Sequence, residues 1–585
     1  MMKEKSTDTL SNRHWRPFLI TLIFSIYTLV SFGFYYERTL NGNIDNHILS
    51  SEIFGIPKNI ENHGVKPLYQ GDKDTGWDGQ FYYYMSNDIF GTKDAAAHID
   101  TPPYRYQRIG LSLYTAIIAK SIGKRWVSPA VFFSSYFLLL LIATWAGARL
   151  FVNRGAPPEL ILLWALSIGT QITLFNALPD AAADAFLIIA FLTWFSERRF
   201  ISSILFTFAA LSREVYIIFP ISILLLNYLQ TLSIFPDKSI KGLISNTSRL
   251  IPKYILTWLT LPIIITTAWH AYVYFHFKKL DSKEVEGILG FPLKAWIEYF
   301  ISGVSGNHLL LGRGLPAYAE AASLLVFIII LIITFSLAIR TLFLNKNKAP
   351  DFIKGAALTC ILLTAIYLCF GATVIAHYSG YLKAIGVFFF LIPLMLETST
   401  TRKKTKTIIY LALIASIMAT STYNFRARLL PFPPDDNITN MSKNNETRSF
   451  SCLKKYDAQI TIDNIKLHKA SFLSNAFGAK NKIVITLNLT NTSDESFVSG
   501  RNAGNVNMSS NWIDDQGVAV TDGVRSALPF ELPPGQSVTV TVISYLPKDK
   551  GHYRLKLSPV QEGCAWFYNA NPNIAETIGF ELNNG

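Results

Sequence analysis

The sequence predicts a polytopic α-helical membrane protein of about eleven spans, followed by a C-terminal all-β sandwich. Three observations carry that expectation. The 585 residues are 50% hydrophobic and only 16% charged, below the roughly one quarter charged that soluble globular proteins carry. Apolar runs near the ~20 residues needed to cross a bilayer recur along the first 425 positions. The last 130 or so residues switch to short β-branched alternating runs bounded by turn signals. The net charge of +13 suggests nucleic acid in a soluble protein, but here it follows membrane topology, because Lys and Arg gather on the cytoplasmic side.

Apolar runs lie at about 17–36, 126–148, 158–178, 180–196, 200–231, 254–277, 317–343, 352–376, 381–397 and 407–423. The first has no small-residue cleavage site after it and reads as a retained anchor. The run 200–231 is long enough for a hairpin and divides at Ser212-Arg213-Glu214. Ile109 to Gly123 is short for a span and reads as an amphipathic helix on the outer face. With that choice every basic connector falls inside: Arg13 and Arg16, Arg149 and Arg154, Arg198 and Arg199, Lys238 to Lys253, Arg340 to Lys348, and Arg402 to Lys406. The expected topology is N-terminus on the cytoplasmic side and C-terminus outside, and nucleic acid drops out as a partner.

The organisation is then a membrane domain over 1–425 with a large first outer loop at 37–125, a polar linker at 426–450 and an outer sandwich at 451–585. In the tail, Ile483 to Leu489, Val538 to Val542 and Tyr553 to Leu557 alternate as strands do. Cys452 and Cys564 bracket this region on the oxidising side, where a disulfide between them is expected. Cys360 and Cys369 sit in an apolar run and read as small buried hydrophobes. Trp512 and Trp566 could stack on sugar, but core packing is the simpler use.

Chemistry concentrates in the first outer loop, far longer than a helix connection needs. It contains Gly76-Trp77-Asp78-Gly79-Gln80-Phe81-Tyr82-Tyr83-Tyr84, and then Pro102-Pro103-Tyr104-Arg105-Tyr106-Gln107-Arg108. A carboxylate between glycines and rings suits a sugar, with Asp78 for a hydroxyl and Trp77, Gln80, Tyr82, Tyr104 and Tyr378 for contacts. A solvated acid beside an interfacial aromatic belt gives the same letters. Arg213 interrupts an apolar run, where a charge costs at least ~2.5 kcal/mol and normally has a partner or a task; a turn pair with Glu214 is the plain alternative. Asp180 and Asp184 lie at i, i+4 after Pro179; Asp180 could cap a helix, whereas Asp184 is a turn too deep for that.

The segment D-G-Q-F-Y-Y, then P-P-Y-R-Y and a short amphipathic helix, resembles the first outer loop of the GT-C superfamily of polyprenyl-phosphate-sugar glycosyltransferases. Protein O-mannosyltransferases and lipid A aminoarabinose transferases are distant members; the nearer likeness is to a bacterial surface-glycopolymer subgroup. The resemblance implies a GT-C membrane fold in a bacterial inner membrane with the C-terminal domain periplasmic, Asp78 as catalytic general base and Arg213 where relatives place a lysine for the donor phosphate. Topology puts Arg105, Arg108, Lys383 and His377 at the same outer headgroup level as further phosphate candidates, with interfacial anchoring the plain alternative for the two arginines. The implied donor is a polyprenyl-phosphate-linked sugar. The acceptor is a surface glycan, a lipid-linked glycan or a protein. Two departures matter. Gly79 stands where a second acid often follows, which leaves divalent metal possible but not indicated, and about 40 residues precede Asp78, which leaves Asp45 as a rival acid. An O-antigen polymerase or ligase is the runner-up enzyme, and a glycolipid transporter or flippase the non-enzyme alternative.

Overall fold

The computed structural model describes residues 7–40, 42–68, 75–234, 253–277, 287–308, 312–313, 315–344, 350–398, 401–428, 452–468, 481–499, 504–523, 525–547 and 551–582. The linker beyond Arg428 and the connector residues Lys238, Lys241, Arg249, Lys346 and Lys348 lie outside them.

The first part is helical. Helix α1 (Thr7–Arg38) leads into the loop that carries α2 (Gly79–Ser86) and α3 (Gly110–Ser121). There follow α4 (Pro129–Asn153), α5 (Leu162–Ala165), α6 (Ile168–Phe175), α7 (Asp180–Phe195), α8 (Arg199–Ser212), α9 (Ile218–Ile234), α10 (Lys253–His276), α11 (Lys294–Val304), α12 (Leu315–Ile339), α13 (Asp351–Leu368), α14 (Phe388–Thr398) and α15 (Lys403–Arg428). Among the described residues four helices are long and apolar enough to cross a membrane: Trp15–Glu37, Pro129–Asn153, Ala317–Phe343 and Asp351–Leu368. These apolar helices, with Trp15, Phe18, Ile332 and Phe335 exposed along them, are those of a membrane-embedded protein.

Several expected spans take a different form. The run at 158–178 is broken between α5 and α6, which meet at a bend of 53°. Ser167 supplies the break, because its hydroxyl caps α6 by accepting from the Thr170 N–H. The runs at 180–196 and 381–397 form helices of only 16 and 11 residues. The hairpin at 200–231 splits after Ser212 into helices of 14 and 17 residues, and Arg213 is extended at the split. The run at 352–376 stops helically at Leu368, and two single-turn helices follow, Ala372–Ile375 and Tyr378–Tyr381. By length and composition alone, the described helices account for four spans, or five if the bent pair α5–α6 counts as one.

The short helix expected near 109–123 is α3, twelve residues long. It packs on α2, α4 and α8 rather than standing apart. Its first residue, Gly110, lies so close to the end of α8 that an added Cβ would sit 2.3 Å from Ser212 Oγ. That contact brings the outer loop onto the Ser212-Arg213-Glu214 break.

The C-terminal part is β. Strands β1 (Ala458–His468), β2 (Lys482–Asn491), β3 (Val506–Ile513), β4 (Ala519–Asp522), β5 (Ser526–Ala527), β6 (Ser537–Tyr545), β7 (Gly551–Gln561), β8 (Ala565–Trp566) and β9 (Glu576–Leu582) form two antiparallel sheets. One has the order β1-β2-β6; the other runs β8-β7-β3-β4, with β9 also on β7 and β5 on β3. Alternation decides which side chains go inside: Ile483, Ile485, Leu487 and Leu489 of β2 and Val540 and Val542 of β6 meet Met508, Trp512, Leu555 and Leu557 in one core. A disulfide joins Cys452 to Cys564. Trp512 is fully buried, but Trp566 is outside that core, half-buried between the Arg525 guanidinium and the Tyr568 ring.

Candidate functional site

The outer loop is organised by buried polar bonds. Gly76 adopts φ +67°, and its added Cβ would lie 2.4 Å from Leu49 O, so only glycine lets the chain turn there. The Trp77 N–H then donates to Leu49 O at 3.1 Å. Gln80, expected to touch sugar, is fully buried and clamps the loop instead: it accepts from the Ser51 N–H and donates to Thr75 O. Trp77 stays half-buried.

Asp78 occupies the N-cap position of α2, yet its side chain makes no capping bond. Its carboxylate turns instead to Arg105, whose Nη1 donates to Oδ2 at 2.9 Å. Arg105 is fixed from behind by Asp100, which takes Nε at 2.9 Å and Nη2 at 2.6 Å, the bidentate geometry that orients a guanidinium. The Asp78 side chain remains 46% exposed, against 9% for Arg105. Its crowded surroundings push the carboxyl up, but the charge of Arg105, with Lys383 and Arg108 further off, outweighs this and holds it below its ordinary value. Asp78 is an ionised, half-exposed carboxylate with its guanidinium partner bound on one side.

Gly79 bears on the missing second acid. A Cβ there would lie 2.0 Å from Asn176 O and 2.8 Å from the Ala177 Cβ. The position is pressed against the α6–α7 turn, where Ala177 itself has φ +56°, and a Glu has no room.

Arg108 forms the next pair: Nε and Nη2 donate to the two Glu214 carboxylate oxygens at 2.7 and 2.6 Å. The Tyr104 ring lies beneath both arginines, 4.5 Å from Arg108 and 5.5 Å from Arg105. Tyr82 is buried beside them, and burial pushes its hydroxyl above the ordinary phenol value against the opposing charges of Arg108 and Arg105.

Arg213 is buried at the α8 break. Its Nη1 donates to Ala384 O at 2.9 Å, and its Nε lies 3.7 Å from Asp180 Oδ1, with each side chain 8% exposed. The tyrosine rings of Tyr216 and Tyr367 flank the guanidinium at 5.4 and 5.6 Å. Asp180 thus faces Arg213 rather than capping α7. Asp184 accepts from Trp164 Nε1 at 3.0 Å and from the Tyr216 hydroxyl; an added Cβ on Gly386 would touch its Oδ2 at 2.6 Å. It is closed off on every side the structure describes.

Lys383 belongs to the segment between α13 and α14 and is half-buried. Among the described residues it has no ion pair, and its charge acts on Asp78. His377 is on the same segment. Its Nδ1 meets Ser379 Oγ at 2.7 Å, and its Nε2 lies 3.8 Å from Glu320 Oε1. Tyr378 packs against the His377 ring at 4.4 Å. Asp45 lies on a separate turn, Ile44–Ile48, where its backbone N–H donates to Asn43 Oδ1; its charge acts on Tyr36 and Tyr83.

The structure therefore gathers Asp78, Arg105, Arg108, Tyr82, Tyr104 and Lys383 into one neighbourhood. Arg213, Asp180 and Asp184 form a buried network behind it, joined through Glu214 and Ala384. Asp45 stands apart from both. Three acids were missed by sequence reasoning. Asp100 is five residues before Arg105 and so within reach of it, and Glu214 is the partner of Arg108 rather than of its neighbour Arg213. Glu320 is a lone acid in the second turn of an apolar helix, a position that calls for a task or a partner; its side chain is 2% exposed and accepts from the Tyr381 hydroxyl at 3.0 Å. Among the described residues no three His, Cys, Asp or Glu side chains converge as a metal site. Comparison with known protein families, with curated proteins and with solved structures finds no match to this chain.

Proposed function

We propose that the protein is a GT-C-type glycosyltransferase with about eleven spans and an outer β-sandwich. It would move a sugar from a polyprenyl phosphate to a cell-surface glycan or glycoconjugate on the periplasmic side of a bacterial inner membrane. The observation that carries this reading is Asp78: an ionised, half-exposed carboxylate held by a doubly anchored arginine, with Lys383, which has no ion pair among the described residues, close by. In the reaction the acceptor oxygen attacks the anomeric carbon, and its proton passes to Asp78 as general base. The bond from that carbon to the phosphate oxygen breaks, and the polyprenyl phosphate leaves as a monoester. A single displacement inverts the anomeric centre.

The leaving phosphate gains negative charge, so a cation placed there stabilises the transition state more than the ground state. Lys383 suits that role best, because Arg105, Arg108 and Arg213 already serve Asp78 and Asp100, Glu214, and Asp180 with Ala384 O. Tyr104, laid against both arginines, offers a ring edge to the sugar. Asp78→Asn is expected to lower transfer by about 10²–10⁴-fold, the usual worth of a general base, with unchanged abundance in the membrane. Normal surface glycan in that variant excludes Asp78 from the chemistry.

The bent pair α5–α6 favours a second reading, a glycolipid transporter, since interrupted helices line transport sites. Purified protein in detergent separates the two. Release of polyprenyl phosphate from labelled donor in the presence of acceptor supports transfer; movement of intact donor across proteoliposomes without release supports transport.

A further inference from the structure

Helix α11 presents an apolar face to the outside. Leu293, Ile297, Ile301 and Val304 recur at helical spacing and are exposed, Ile301 by 61%, while Lys294 and Glu298 occupy the adjacent side. The opposite face is fixed to α12: Trp296 stacks on Phe327 at 4.7 Å, and Gly303 lies against Ala321. Between α11, α12 and α13 runs a groove of about 450 Å³, floored by Thr364, Ala365 and Leu368 and walled by Ile297, Ile301 and Ile332. That size lies within the range of small-ligand sites.

We propose that this groove berths a hydrocarbon chain of an ordinary diacyl membrane lipid. Its walls are continuous with the exposed apolar side chains of α12, Ile332 and Phe335, so chain-bearing lipid reaches it without crossing a polar barrier. Among the described lining residues none is charged. The groove therefore selects a chain and not a headgroup, unlike the phosphate carrier, whose head requires cations. The berth bears on the neighbouring segment. Three backbone bonds of 2.8 Å, Gly290 N–H to Cys369 O, Leu293 N–H to Leu368 O and Gly371 N–H to Ile288 O, strap the entry of α11 to the end of α13. The chain from there leads to His377 and Lys383. This inference rests on membrane embedding and not on glycosyl transfer.

The full chain is reconstituted in phosphatidylethanolamine–phosphatidylglycerol vesicles that contain a trace of phospholipid with a diazirine in one acyl chain. Photolysis is expected to label peptides over 297–301 and 328–336 at least as densely as the exposed face of α1. Ala365→Trp, which fills the floor, and Ile301→Asp, on the exposed wall, should each lower groove labelling several-fold and leave α1 labelling unchanged; the second variant keeps the test intact if the first misfolds. Bare groove peptides beside a labelled α1 overturn the proposal. So does displacement of the label by equimolar polyprenyl phosphate, which assigns the groove to the carrier, or cross-linking between two copies at Ile301, which assigns it to an oligomer interface.

Discussion

Two carboxylate–arginine clusters lie a few residues apart in space yet differ in what they can do. At the outer loop, Asp78 is 46% exposed and contacts Arg105 through one oxygen. Behind it, Asp180 and Arg213 are each 8% exposed, and Asp184 is enclosed by Trp164, Tyr216 and Gly386. Sequence offers the same ingredients in both: an acid, an arginine and tyrosines. Access separates them, because a group whose polar atoms are all satisfied internally holds structure, and only one with a face left open can meet a substrate. The buried network ties α5, α7, the α8 break and the 384–386 turn together, and so fixes the floor on which the Asp78 turn rests.

If that division is right, Asp184→Ala is a stability variant. It leaves the buried Trp164 N–H and Tyr216 hydroxyl without acceptors, at a cost of about 1–3 kcal/mol each. The expected outcome is a large drop in melting temperature in detergent, with residual activity in proportion to the folded fraction. A folded, stable and inactive Asp184→Ala protein would break the comparison and move the chemistry inward.

Gly79→Ala tests the contact between the two clusters. The new methyl would meet Asn176 O at 2.0 Å, and the overpacking should cost about 1–3 kcal/mol. Because the strain falls at the Asp78 turn, activity per folded molecule should decline as well, read as a lower kcat in protein of known folded fraction. Unchanged stability would mean that the α6–α7 turn yields and that a second acid at 79 was sterically permitted after all.

Arg105→Gln addresses the electrostatics. The Asp78 carboxyl lies below its ordinary value, which is about 4 for an Asp. The stability that this pair contributes is present above the ordinary value and is lost as pH falls through the lower native one. Removing the guanidinium raises the Asp78 pKa, so the acid limb of the pH–kcat/KM profile should move upward, with a smaller change at neutral pH. A limb that stays in place assigns it to another group.

Much of this was legible in sequence, and for identifiable reasons. Alternation in 483–489, 538–542 and 553–557 fixes β2, β6 and β7 because one face of each must enter the core. The charge at Arg213 marks a real break in the 200–231 run, since a guanidinium there has to find Asp180 and a carbonyl. What stayed hidden depends on contacts between distant segments. Nothing near Gln80 says that its amide will clamp Ser51 and Thr75, and nothing near Arg108 says that its partner is Glu214, 106 residues away. The span at 381–397 also looked longer than it is, because hydropathy counts apolar letters and not where the 382–387 turn lets a helix begin. Trp566 looked like core because it neighbours Cys564, yet the adjacent Phe567 is the residue that turns inward.

The smallest expected effect is also the one that best separates donor from acceptor. Lys383 acts on Asp78 through its charge and has no ion pair among the described residues, so removing it should cost little stability. If it receives the donor phosphate, Lys383→Ala should raise the KM for donor about tenfold, some 1.4 kcal/mol, and leave the KM for acceptor near its original value. Lys383→Arg should recover most of the loss, because the charge is kept though the geometry of its donors differs. Equal rises in both KM values point instead to a displaced 377–384 segment. That outcome would sharpen the comparison in a different way, by adding Lys383 to the framework and leaving Asp78 as the one exposed charge at the site.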